Sequence, residues 1–178
     1  MDTRDISLTA IFATLYFVVN TVQTMLGGTI TYGPVQFRAV DCLLALAALL
    51  GWPVVFGSTL GAFLANMYYW LGPLDVIFGP LANLIATSII FMLRRRRLLA
   101  CMVGALPVGV IVGGYLWVFF FPPEILGFLP AWASMMMSIT ISSLIAIGVV
   151  GYSLIAFLSR PSIIKPLKSR GLKVFIES

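Results

Sequence analysis

Apolar residues run through this chain in long blocks, broken at short intervals by glycine, proline and polar turns. A helix that crosses a bilayer needs about 20 mostly apolar residues. On that measure the pattern predicts helices over about 7–26, 36–50, 53–71, 74–93, 98–121 and 131–158. The breaks carry turn chemistry: Gly27-Gly28, Gly33-Pro34, Gly51-Trp52-Pro53, Gly72-Pro73, and Pro122-Pro123 through Pro130. The second block is short with a partly polar start, and the sixth is long enough for one tilted helix. The expectation is an all-α integral membrane protein with one transmembrane domain over 1–158 and a tail over 159–178.

Polar positions inside the blocks are few and patterned. In the first, Thr9, Ala13, Tyr16, Asn20 and Gln23 recur every three or four residues and share one helix face. Beside them, Ala10 and Thr14 form a small-x-x-x-small pair that lets another helix approach closely. This face either packs within the chain, or Asn20 and Gln23 face a cavity while the small residues dock a partner. The second block opens with Gln36, Arg38 and Asp41, just after Tyr32. Arg38 and Asp41, three apart, either neutralise each other or offer their charges to a ligand; ionisable groups inside a membrane segment mark functional sites.

The third block carries Gly57-x-x-x-Gly61-x-x-x-Ala65, a close-packing ridge, and then Asn66, Tyr69 and Trp70. The two aromatics suit an interfacial belt, whereas an amide within a span requires a hydrogen-bonding partner. The fourth begins Gly72-Pro73-Leu74-Asp75, where Asp75 reads as a helix cap or a site residue, and continues through Pro80 to Asn83. The fifth is rich in glycine, and the sixth has a serine stripe at Ser134, Ser138 and Ser142, which can satisfy itself on its own backbone.

Composition supports the membrane reading. Of 178 residues, 61% are hydrophobic and 10% charged, where a soluble chain has about 45–50% and about 25%. Charge then sets orientation. With six spans, Arg4, Arg94–Arg97, Arg160, Lys165, Lys168, Arg170 and Lys173 fall on one side, which puts both termini in the cytoplasm at the plasma membrane. Only Arg38 lies at the opposite edge. The net charge of +5 follows from this topology and lipid contact, so it gives no reason to expect nucleic-acid binding. The first block reads as a retained helix rather than a signal peptide. Cys42 and Cys101 lack metal-type spacing, and the absence of histidine excludes imidazole metal sites and His-assisted nucleophiles. There is no phosphate-binding Gly-x-x-x-x-Gly-Lys loop. No catalytic residue, metal or cofactor is expected. The polar set Asn20, Gln23, Gln36, Arg38, Asp41, Asn66 and Asp75 maps to the external half of several helices, the layout of a solute pocket rather than a pore.

Tyr32-Gly33-Pro34-Val35-Gln36-Phe37-Arg38 with Asp41, and Leu71-Gly72-Pro73-Leu74-Asp75-Val76-Ile77-Phe78-Gly79, resemble the signatures of the QueT family. The resemblance covers about residues 7–158. It implies a six-helix substrate-binding (S) component of an energy-coupling-factor (ECF) vitamin transporter, associated with queuosine precursors. Such a subunit would work with a transmembrane coupling (T) subunit and two ABC ATPase subunits. The small cluster Thr9, Ala10, Ala13 and Thr14 is similar to the motif with which S components dock the T subunit. A deazaguanine would then give donors to Asp41 or Asp75 and a carbonyl to Arg38 or Gln36, with Tyr32, Tyr69 or Trp70 to stack its ring. The family pattern also places an asparagine near Gly109 and a Gly-Glu pair where Ser142-Ser143 stand here, so a different vitamin or base is an alternative ligand. Two readings from other classes are a membrane scaffold and an intramembrane enzyme, the latter supported only by Asp41 and Asp75.

Overall fold

The computed structural model describes residues 2–27, 38–121, 129–169 and 171–175. These residues form helices and connecting turns, with no strand among them. We number the helices α1 (Thr3–Gly27), α2 (Ala39–Leu50), α3 (Trp52–Tyr69), α4 (Pro73–Met92), α5 (Arg97–Leu116), α6 (Ala131–Leu158) and α7 (Pro161–Ser169). Four of them, α1, α4, α5 and α6, are long and apolar enough to cross a membrane. The helices expose large apolar side chains outward, among them Ile11, Leu60, Ile77, Val110 and Val149. A surface so apolar suits lipid rather than water.

Local chemistry explains where the helices begin and turn. Asp2 Oδ1 accepts from the Thr3 N–H at 2.7 Å and Asp5 Oδ2 accepts from the Asp2 N–H at 3.0 Å, so two side chains satisfy free N–H groups at the start of α1. Gly51 ends α2 at φ +70°, a conformation that a side chain disfavours. Pro73 starts α4 where its missing N–H costs nothing. Two helices depart from α geometry. Residues Ala39–Leu46 of α2 are wound as a 3-10 helix, and Leu144–Gly151 of α6 as a π-helix. Both are unusually long for their type.

Glycines set how closely the helices approach. A Cβ at Gly57 would lie 2.9 Å from the Thr9 carbonyl, and one at Gly61 2.7 Å from the Ala13 carbonyl, so α1 rests on the Gly-x-x-x-Gly ridge of α3. The neighbours then run α3 to α4, α4 to α5 and α5 to α6. Helix α2 closes the arrangement between α6 and α1 and also touches α3 and α4. It is buried along nearly its whole length. Its 3-10 stretch lies against the π stretch of α6, where a Cβ at Gly151 would come within 3.1 Å of the Cys42 carbonyl.

The tail folds back on the end of the bundle that holds the α1 start and the α2–α3 and α4–α5 turns. The Phe175 N–H donates to the Leu49 carbonyl at 2.8 Å, and its ring meets Phe91 edge-on at 5.2 Å. The Arg94 guanidinium caps both rings, and Lys173 pairs with Asp5 at 3.4 Å.

Candidate functional site

Near mid-height, α1, α2 and α4 bring polar side chains together around one phenol. Tyr16, fully buried, donates its hydroxyl to Asp41 Oδ1 at 2.7 Å. The phenol oxygen of Tyr16 accepts in turn from Asn83 Nδ2 at 2.9 Å and from Arg38 Nη2 at 3.4 Å. Arg38 Nε lies 3.9 Å from Asp41 Oδ1. Tyr16 reaches this point because it sits on the α1 face pressed onto Gly57 and Gly61. Asp41 and Arg38 reach it from the start of α2, whose first turn is held by Gln23 Oε1 accepting from the Val40 N–H at 3.0 Å. The charge of Arg38 therefore has Asp41 three residues on and a neutral hydroxyl beside it, the pairing that burial of charge demands.

A second polar group lies toward the far end, away from the tail. Asn66 Nδ2 donates to the Asp75 carbonyl at 2.8 Å, and the Tyr115 hydroxyl donates to Asp75 Oδ1 at 2.7 Å. Asp75 Oδ2 and Asn66 Oδ1 are buried and meet no hydrogen-bond donor among the described residues. Gly79 makes room for Asn66, because a Cβ there would collide with the Asn66 amide. Asp75, Gly79 and Asn83 are spaced by four along α4 and share one face, so a single stripe about 12 Å long joins the two groups.

Beside Arg38 and Asp41 is a cavity of about 10 Å³, also lined by Val108, Ile139, Ser142 and Ser143. That volume holds about one water. No solute fits without movement of its walls. The walls are Arg38 and the 3-10 stretch of α2, Val108 and Val112 of α5, and the junction of α6 with its π stretch.

The residues named from the sequence are distributed unevenly over this geometry. Arg38 and Asp41 belong to the first group, with Gln23 bracing them; Asn66 and Asp75 belong to the second. Asn20 is fully buried on the face of α1 that carries Tyr16. Tyr69 is half-buried and points its hydroxyl at the Thr21 carbonyl, 3.5 Å away. Trp70 is 58% exposed at the left-handed end of α3, apart from both groups. Tyr32 and Gln36 lie outside the described residues. The small residues of α1 divide. Thr9 and Ala13 are buried beneath Gly57 and Gly61, while Ala10 and Thr14 are exposed, with the Thr14 hydroxyl turned back to the Ala10 carbonyl at 3.0 Å.

Tyr16, Asn83 and Tyr115 were not among the expected site residues. Tyr16 and Asn83 were visible as polar positions in apolar blocks, and the signal for all three is that a buried hydroxyl or amide must find a partner. On α5, a side chain at Gly109 would collide with Thr140 of α6, so that position is a helix contact rather than a place for an amide. Ser142 and Ser143 do face the cavity.

A family model described as QueT transporter matches residues 6–160. No curated protein and no solved structure matches the chain.

Proposed function

From the premise that this chain belongs to the QueT transporter family, we propose that it is the substrate-binding subunit of an ECF-type importer. It would capture a small nutrient at the external face, and separate subunits would power uptake. The observation that carries the reading is the pair of buried acceptors, Asp75 Oδ2 and Asn66 Oδ1, without donors among the described residues. Each such group costs about 1–3 kcal/mol unless something donates to it. They stand on the same α4 stripe as the Tyr16 group, which offers the donors of Arg38 and Asn83 and the carboxylate of Asp41. A solute with N–H donors for a carboxylate and a carbonyl for Arg38 matches that chemistry. A queuosine-precursor deazaguanine carries both along one edge, as adjacent amide and amino donors beside a carbonyl.

The topology we assign has six crossings in the plasma membrane, with α2 and α3 added to the four long helices and both termini cytoplasmic. The arginines at 94–97 and the tail lysines then face the cytoplasm, and the stripe opens outward. Transport rather than catalysis is the role. The exposed pair Ala10 and Thr14 is the docking face for the T subunit, which two ABC ATPase subunits would drive, while Thr9 and Ala13 support that face from within.

Thermal unfolding of the purified chain with 7-deazaguanine and its 7-substituted derivatives, guanine, thiamine and riboflavin tests this. A ligand present at 100 times its Kd should stabilise by about 2.7 kcal/mol. Indifference to the whole panel, with no ATPase subunits co-purifying, would instead indicate a scaffold. A response to thiamine or riboflavin alone would support a second reading, an S component for another vitamin, which Ser142 and Ser143 in the cavity wall favour.

A further inference from the structure

The groups best suited to grip a solute are already occupied by a side chain of the protein itself. A phenol has one proton to donate and two lone pairs to accept with. Tyr16 uses all three: it donates to Asp41 and accepts from Asn83 and Arg38. The neighbouring cavity, about 10 Å³, has room for about one water and none for a solute. We infer that Tyr16 is an internal stand-in for the solute: its hydroxyl holds Asp41, Asn83 and Arg38 in the empty protein and gives them up on loading.

The fold supplies the means of release. Asp41 belongs to the 3-10 stretch Ala39–Leu46, and the wall opposite is the π stretch Leu144–Gly151. Both have poorer hydrogen-bond geometry than an α-helix and are where a helix changes its winding most readily. Rewinding eight residues from 2.0 to 1.5 Å rise shortens the segment by about 4 Å. Over the five residues from Asp41 to Leu46 it also turns Asp41 by about 100°. The α-helical turn Ala47–Leu50 is anchored below by the Leu49–Phe175 bond, so the motion is delivered to Arg38 and Asp41. Asp41 then swings off Tyr16, and the space beside Ser142 and Ser143 widens. A solute makes up for the lost phenol contacts with its own polar edge.

This rests on the reading of the Arg38 group as the solute site, and the experiment separates the two. Calorimetric titration of the full chain with 7-deazaguanine is made on the unmodified protein, Tyr16→Phe and Arg38→Gln. Removing the stand-in leaves Asp41 and Asn83 unsatisfied in the empty state only, so Tyr16→Phe should bind about tenfold more tightly. Equal or weaker binding by Tyr16→Phe, with binding lost in Arg38→Gln, would overturn the stand-in and leave the site in place. Binding that survives Arg38→Gln would overturn the site itself, and binding by none of the three proteins would overturn both. Should Tyr16→Phe fail to fold, hydrogen exchange on the unmodified protein decides: the ligand should alter exchange of the 39–46 amides, and an unchanged pattern there would overturn the release mechanism.

Discussion

At the far end of the bundle, buried oxygens outnumber the donors that reach them; at the tail end, contacts are exposed and redundant. Asp75 and Asn66 each keep an acceptor without a donor among the described residues, deep among helices. Around the tail, the Phe175 backbone bond, two ring contacts, the Lys173 pair and the Arg4 bond to the Gly171 carbonyl at 3.3 Å all hold one short strand of chain. On the proposed function, the first region gives up stability so that a solute can complete it. The second is complete as it stands. Substitutions in the first should therefore change binding and stability in unequal or opposite ways, and those in the second should change stability alone.

The largest effect is expected at Arg38. Replacing it with methionine leaves Asp41 as an uncompensated buried charge, a change that costs about 3–5 kcal/mol where such pairs have been broken. Arg38→Met should lower the thermal midpoint sharply and weaken solute binding by about 100-fold or more. Calorimetric titration together with thermal unfolding checks both. A variant that keeps its stability would mean that Arg38 and Asp41 were never energetically linked, and the Tyr16 group, which the α4 stripe joins to the far end, would lose its claim to be part of a site.

Phe175→Ala comes next and tests the other end. The ring is 37% exposed, so it loses part of a full core truncation, about 1–2 kcal/mol, along with the Arg94 contact. Stability should fall while solute affinity stays within about twofold. Gly51→Ala should reproduce it, since Gly51 has φ +70° and an added Cβ would sit 2.8 Å from the Phe175 ring. Affinity falling in step with stability in both variants would show that the ends are not independent.

Much of this contrast could be read in the sequence, and the remainder has physical reasons for being hidden. The three-and-four spacing of Thr9, Ala13, Tyr16 and Asn20 defined a face of α1, and that face is buried. The basic residues Arg4, Arg94–Arg97 and Lys173 mark the tail end in the sequence itself. What periodicity could not reveal was winding: over eight apolar residues, repeats of 3.0, 3.6 and more than four per turn all fit Ala39–Leu46 and Leu144–Gly151. Tyr115 was hidden because no charged or amide side chain marks a face between Leu98 and Leu116, and its partner Asp75 lies forty residues earlier. Trp70 suits an interfacial belt or a stacking surface, and a left-handed backbone at the end of α3 leaves it exposed. The bond between Phe175 and Leu49 joins main-chain atoms far apart in sequence, and no side-chain pattern announces such a contact.

Asp75→Asn gives a smaller change and, for the comparison, the sharper one. The substitution keeps the shape and can still accept from Tyr115, but it removes a charge whose second oxygen meets no donor. Stability should rise by about 1 kcal/mol, because the desolvation cost of that oxygen is relieved. Solute binding should fall about tenfold, since the group that would complete the solute's donors is gone. Opposite signs in the two measurements are the signature of a residue kept for recognition. Loss of both would return Asp75 to the role of a structural cap.

The smallest effect belongs to Lys173. Its ammonium lies 3.4 Å from Asp5 Oδ2, but the side chain is 61% exposed, and a pair in that position is screened by water and salt. Arg4 and the Phe175 contacts hold the same stretch of chain without it. Lys173→Gln should leave the thermal midpoint unchanged at moderate salt, and raising the salt should leave the unmodified protein equally indifferent. A clear drop in either measurement would mean that the tail is held by charge rather than by the Phe175 contacts. Phe175→Ala would then be the weaker of the two substitutions, and the tail end would respond to ionic strength in a way the far end, with its charges buried, does not.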